Sequence, residues 1–103
     1  MKEYRINSSK NKKTKALDIE VQGYLNVSNI MGIKKELSSA IKNSKKVNLK
    51  ISEVDDADLS LVQYLVGLKQ MCQESNIEIK IDLGINNETL ELFKRAGFAN
   101  TIN

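Results

Sequence analysis

Three segments of the chain alternate apolar and polar residues with a period of two, and this alternation constrains the fold more than any other feature. The segments are ALDIEVQ at residues 16–22, KVNLKIS at 46–52 and NIEIKIDLG at 76–84. A period of two is typical of strands with one buried face and one face in water. A weaker strand, EYRIN, precedes them. The lysine-rich run SKNKKTK after it is expected to be a solvated hairpin loop, with a basic binding patch as the less favoured interpretation.

Helical patterns separate these strands. The segment SNIMGIKKELSSAIKN, residues 28–43, places its apolar side chains on one stripe, with Ser28 as the expected N-cap. A second helix is predicted from about Asp58 to Ser75. A third is predicted within NNETLELFKRAG, residues 86–97, ending at Gly97.

The order β, β, α, β, α, β, α implies that strands separated by a helix run parallel through right-handed crossovers. Strands covered on both faces would be apolar throughout, whereas these keep polar residues at alternate positions. The sequence therefore predicts an α/β fold, a mixed sheet of about four to five strands with the helices packed mainly on one face. With 103 residues and no linker or repeat, a single domain over residues 1–103 is expected.

The composition excludes several classes of protein and site. The chain has no histidine, which excludes a Ser-His-Asp triad, a Cys-His pair and most zinc sites within it. The single cysteine, Cys72, cannot form an internal disulfide and is expected to fill the core. No apolar run approaches a membrane span, and the N-terminus lacks a secretory apolar region. These features favour a cytoplasmic protein that is neither inserted in a membrane nor bound to nucleic acid.

The second helix carries a polar stripe. Its small or polar residues follow steps of three and four, which places them on one face: Ser60, Gln63, Gly67, Gln70 and Glu74. Ser60 is expected to face outward in the first turn, beside Gln63 and Tyr64, and Gly67 to leave a shallow spot one turn further on. Any amphipathic helix has such a stripe, however, and periodicity alone favours that plain interpretation.

Three aspartates precede or begin this helix: Asp55 and Asp56 are expected in the loop before it, and Asp58 at its start. Asp58 stands where an N-cap belongs, and negative charge is favourable at that end of a helix. A calcium loop needs more oxygen ligands in a defined order, which is missing, and a magnesium site has only weak support. Capping and solvation are the favoured account, so neither a metal nor a cofactor is predicted.

A family resemblance rests on three features: the element order, a strand that leads into Gly23, and the strand–loop–Asp-x-Ser–helix unit Asp58-Leu59-Ser60-Leu61-Val62. Together with AGF at residues 96–98, they resemble the STAS domain of anti-sigma factor antagonists, over about residues 15–102. Asp58 and Ser60 match the aspartate and the phosphoacceptor of the family's Asp-Ser-Ser/Thr-Gly-Leu signature. Leu59 and Leu61 depart from it, since they replace a small polar residue and a glycine.

The resemblance implies a bacterial signalling protein that acts by regulated binding rather than as an enzyme. It implies phosphorylation of Ser60 by a serine kinase that is also an anti-sigma factor, or by another signalling protein. It implies a partner-binding surface formed by Asp56, Asp58, Leu59, Leu61, Gln63, Tyr64 and Gly67. The alternative is a constitutive STAS adaptor subunit of a chemotaxis or transport complex without phospho-switching. Enzymatic activity has little support, because no nucleophile–base pair is present.

Overall fold

The computed structural model describes residues 3–84 together with residues 91, 94 and 95. Its elements follow the predicted order, and their bounds are β1 (Tyr4–Lys10), β2 (Leu17–Leu25), α1 (Ile30–Ile41), β3 (Lys46–Ala57), α2 (Leu59–Glu74) and β4 (Glu78–Gly84). The predicted third helix lies mostly outside the described residues, although Glu91, Lys94 and Arg95 are helical. The AGF sequence lies wholly outside them.

The strands form one mixed sheet in the order β1-β2-β3-β4. The first two strands are an antiparallel hairpin, while β2 and β3, and β3 and β4, pair in parallel. The turn of the hairpin is ordered by Asn11, whose Oδ1 accepts hydrogen bonds from the backbone N–H groups of Lys13 (2.9 Å) and Thr14 (3.1 Å). The predicted α/β class and mixed sheet are confirmed.

The core lies between one face of the sheet and the two helices. Its buried side chains come from every element except β1: Ile19, Val21, Leu25, Ile33, Leu37, Ile41, Val47, Leu49, Ile51, Leu61, Val62, Leu65, Leu68, Cys72 and Ile81. The opposite face is polar, and its side chains bond across the strands. Asn48 donates to Asp18 at 3.0 Å, and the Ser52 hydroxyl donates to Glu20 at 2.9 Å. In the described residues the helices thus cover one face, as the alternation predicts.

Two boundaries differ from the sequence prediction. Strand β3 continues through Ala57, so Asp55 and Asp56 belong to a strand rather than to a loop. The reason is that β2 continues to pair with β3 beyond two register shifts near Gly23, with Tyr24 opposite Asp56. Gly23 has a φ of +107°, and an added Cβ would lie 2.5 Å from the carbonyl oxygen of Glu3, so only glycine fits there.

The N-cap of α1 is Asn29 rather than Ser28, and its side chain makes no capping hydrogen bond. That side chain donates instead to the Tyr24 carbonyl oxygen at 2.9 Å and to Glu3 Oε1 at 3.1 Å. The start of α1 is therefore attached to the end of β2 through the Asn29 side chain, and Ser28 does not cap the helix.

Candidate functional site at the N-terminus of helix α2

Asp58 positions Ser60 at the start of α2. Asp58 is the N-cap, with extended backbone angles of φ −138° and ψ −173°, and its Oδ1 accepts from the Ser60 backbone N–H at 3.0 Å. The Ser60 hydroxyl donates to the same Oδ1. Because α2 begins at Leu59, Ser60 is its second residue, and its partly exposed side chain lies at the positive end of the helix dipole. The predicted cap is confirmed.

The other oxygen of Asp58 bonds to a different part of the chain. Its Oδ2 accepts from the backbone N–H of Val27 at 2.9 Å, in the loop between β2 and α1. Burial alone would raise the pKa of Asp58, but the hydrogen bonds from Ser60 Oγ and from the backbone N–H groups of Val27, Ser60 and Leu61 outweigh it. They hold the pKa below its usual range, so the carboxylate stays charged at neutral pH.

A second aspartate ties the same loop to β3. Asp56 Oδ2 accepts from Asn26 Nδ2 at 2.8 Å, one residue before Val27. Within the loop, the Asn26 carbonyl oxygen accepts from the backbone N–H groups of Asn29 at 3.0 Å and Ile30 at 2.9 Å. The loop of residues 26–29 is therefore fixed against the end of β3 and the start of α2 by two aspartates.

Four exposed apolar side chains occur around this end of the sheet, and we call them the apolar rim: Tyr24 (44% exposed), Val27 (68%), Met31 (73%) and Leu59 (45%). Tyr24 pairs with Asp56 one residue before β2 ends, Val27 bonds to Asp58, and Leu59 follows Asp58. Only Leu59 is among the residues predicted from the sequence. Met31 lies outside the buried stripe of α1, and that departure from helical periodicity is the signal that could have found it. Val27 precedes the helix, and no periodic pattern marks it.

The outward stripe of α2 lies where the sequence predicts it. Gln63, Gly67, Gln70 and Glu74 are all exposed, and a Cβ added to Gly67 would meet no atom within 4 Å. Tyr64 is half-buried against the core, and burial raises its pKa. Its hydroxyl is buried and has no hydrogen-bond partner in the described part of the chain. The hydroxyl of Tyr64 is therefore not part of the exposed surface of α2.

The expected contribution of Leu61 to the partner surface requires a correction. Leu61 is 1% exposed and belongs to the core, as do Val62 and Leu65. It cannot form part of an outer surface, because the start of α2 turns positions 61, 62 and 65 toward the sheet. Of the two leucines that the family resemblance assigns to the partner surface, Leu59 alone is exposed.

The carboxylates at this site do not converge on a common point. Asp55 is exposed on β3, Asp56 bonds to Asn26, and Asp58 caps α2. Over residues 3–84, 91, 94 and 95, no group of three or more Asp, Glu, Cys or His side chains is placed to hold a metal ion. The charge of Asp58 serves instead to order the helix start, the Ser60 hydroxyl and the Val27 loop.

Neither described helix is long and apolar enough to cross a lipid bilayer.

Comparison with known proteins agrees with the described fold. The chain matches a solved structure of the anti-sigma factor antagonist SpoIIAA in its unphosphorylated form, with a TM-score of 0.72 and 14% sequence identity. The match covers 96% of this chain and 86% of that one, and at this identity it establishes a shared fold. No curated protein matches the chain by sequence. The family model described as "STAS domain" matches residues 7–103, so the chain belongs to the STAS domain family.

Proposed function

We propose that this protein is a bacterial, cytoplasmic signalling protein that binds a partner protein through the start of α2, and that phosphorylation of Ser60 ends the binding. The proposed partner is a serine kinase of the anti-sigma factor type or a related signalling protein. The observation that carries this proposal is the position of Ser60. Its hydroxyl is partly exposed at a helix N-terminus, hydrogen-bonded to Asp58, and located at the end of the sheet that carries the apolar rim.

The composition of this surface supports protein binding. Stable interfaces have apolar or aromatic contacts at their centre and a polar border. Here Tyr24, Val27, Met31 and Leu59 are exposed, and Asp55, Asp56 and Gln63 add polar groups at the same end of the fold. Aromatic and large apolar side chains contribute most of the energy in such contacts. A partner with a complementary apolar surface, and with apolar or acidic side chains opposite Ser60, fits this arrangement and would be repelled by added negative charge.

Phosphorylation would change the electrostatics of this surface sharply. A phosphoserine carries about −1.5 to −2 charges at neutral pH. The N-terminus of α2 would favour that charge, but the carboxylate of Asp58 would oppose it, and the hydroxyl proton that now bonds to Asp58 Oδ1 would be gone. The fold is expected to persist, because the core contains neither residue. The main effect is a negative charge at the centre of the partner surface.

A constitutive adaptor is the second candidate function. The observation that favours it is that the Ser60 hydroxyl already has a partner in Asp58 and is only partly exposed. In that case Ser60 serves only the helix start, and the apolar rim forms a permanent contact in a larger complex.

A capture experiment separates the two functions. Wild type, Ser60→Ala, Ser60→Asp and the control Gln70→Glu are used as baits in a lysate of the native cell, and captured proteins are identified by mass spectrometry. Gln70 is exposed on the same face of α2, so Gln70→Glu adds a negative charge away from the helix start. The switch predicts that a protein with a serine kinase domain is captured by all baits except Ser60→Asp. Equal capture by all four baits supports the adaptor.

A further inference from the structure

Strand β1 lies at one edge of the sheet that the described residues form. Within the described residues its neighbour is β2 alone. The Tyr24 N–H donates to the Glu3 carbonyl oxygen at 2.9 Å, which makes residues 3 and 24 a hydrogen-bonded pair. In an antiparallel ladder such pairs alternate. Arg5 and Asn7 therefore bond to β2, while the N–H and C=O groups of Ile6 and Ser8 point away from it, toward the open edge.

The side chains of Ile6 and Ser8 lie beside a groove between β1 and α1, which we call the β1 groove. Its volume is about 580 Å³, and the α1 side includes the small residues Gly32, Ser39 and Ala40. At one end the Tyr4 hydroxyl occupies the place where a side chain at position 32 would be. Small residues on the helix thus leave space directly beside an edge strand with outward main-chain groups.

The groove lining includes one lysine and one carboxylate, and the end of β1 and the turn after it add three lysines. Lys35 lines it and is exposed, while Glu36, the carboxylate among its lining residues, already has an interaction of its own within the structure. Lys10 ends β1, and Lys12 and Lys13 follow in the ordered turn. All three are exposed. A second copy of the chain would offer the same basic border, so the complementary occupant is acidic.

From these features we propose that the β1 groove binds an extended acidic segment of a partner protein by strand addition to β1. The segment would pair with the main chain of Ile6 and Ser8, direct alternate side chains into the groove, and place carboxylates near Lys10 and Lys35. Strand addition takes affinity from main-chain hydrogen bonds and specificity from alternate side chains. The β1 groove shares no lining residue with the Ser60 surface, so this proposal is independent of the proposed function.

The test is an NMR titration of the ¹⁵N-labelled protein with two capped heptapeptides. In one peptide glutamate and valine alternate, and in the other lysine replaces glutamate. We expect saturable shifts at the amides of Ile6, Ser8 and Lys10 with the acidic peptide, and binding about tenfold weaker or worse with the basic one. The proposal is overturned by the absence of shifts on β1 at millimolar acidic peptide, or by equal binding of both peptides. Shifts on β1 that depend on protein concentration without peptide would overturn it in favour of self-pairing.

Two variants and a control sharpen this titration. Ser8→Pro removes an outward N–H and none of the β1–β2 hydrogen bonds, and proline is tolerated at such edge positions. Lys35→Glu reverses the groove charge and should weaken the acidic peptide by about tenfold. Lys50→Glu makes the same change on the polar face of the sheet and should leave affinity within about twofold. If Ser8→Pro does not fold, the affinities of the Lys35→Glu and Lys50→Glu variants for the acidic peptide test the proposal. Equal losses of affinity in these two variants would contradict it.

Discussion

Asp58 Oδ2 accepts a hydrogen bond from the backbone N–H of Val27 at 2.9 Å, across 31 residues of sequence. The same carboxylate caps α2 and accepts from the Ser60 hydroxyl. One side chain therefore connects the proposed phosphorylation site to the loop that carries part of the apolar rim. Any change in the charge or orientation of this carboxylate should therefore alter both the Ser60 hydroxyl and the loop at Val27.

Substitutions of Asp58 should show how much its cap of α2 and its hydrogen bond to Val27 contribute to stability. Asp58→Ala removes the cap and the acceptor for Val27, and should lower the free energy of unfolding by about 1–2 kcal/mol in urea denaturation. Asp58→Asn keeps one acceptor oxygen and should cost less. Hydrogen exchange at the Val27 amide should accelerate in Asp58→Ala relative to amides of the core. Unchanged exchange at Val27 would contradict the proposed tie between helix and loop.

Stability should depend on pH through Asp58. The folded protein holds the pKa of this carboxyl below its usual, unfolded value. Its contribution is therefore complete above the unfolded pKa and is lost as the pH falls through the folded pKa. Denaturation midpoints measured from neutral to acid pH should fall less in Asp58→Asn than in wild type. Parallel curves for the two proteins would show that Asp58 does not contribute to the acid sensitivity.

Two glycines should respond to alanine in opposite directions. Gly67 is exposed within α2 and has open space at its Cβ, so Gly67→Ala should stabilise the protein by about 1 kcal/mol through helix propensity. Gly23→Ala must place a Cβ 2.5 Å from the Glu3 carbonyl oxygen at a φ of +107°, and should destabilise it by at least about 1–3 kcal/mol. The midpoints of thermal unfolding of both variants are compared with that of wild type. Equal shifts of the two midpoints would argue against the described β1–β2 contact.

Alanine substitutions of Leu59 and Leu61 should have different effects on stability and on partner affinity. Leu61→Ala should lower the free energy of unfolding by about 2–5 kcal/mol, because its side chain is 1% exposed in the core. Leu59→Ala should change stability by about 0.5 kcal/mol or less, since Leu59 is 45% exposed, yet weaken a partner that binds the apolar rim. A Leu59→Ala variant that is as stable as wild type and binds the partner equally well would remove Leu59 from the surface.

Local sequence patterns predict most of the fold but only part of the site. Alternation places the strands, and the position of Asp58 before an apolar helical run predicts its cap. The family resemblance assigns both Leu59 and Leu61 to the partner surface, and the resemblance does not resolve which of the two faces the sheet. The β3 extension through Asp56 depends on pairing with β2 after a register shift, which no local pattern encodes. The Asp58–Val27 hydrogen bond is likewise a long-range contact, and the sequence gives no sign of it.

The most direct test of the central claim is the affinity of the captured partner for protein that carries phosphoserine at position 60. Phosphoserine can be installed during translation, and binding can be measured by calorimetry against unmodified protein and the Gln70→Glu control. The phospho-switch predicts that phosphorylation weakens binding by about tenfold or more while the fold is retained. Equal affinity of the phosphorylated and unmodified proteins would contradict it and leave Ser60 as a residue of the helix start alone.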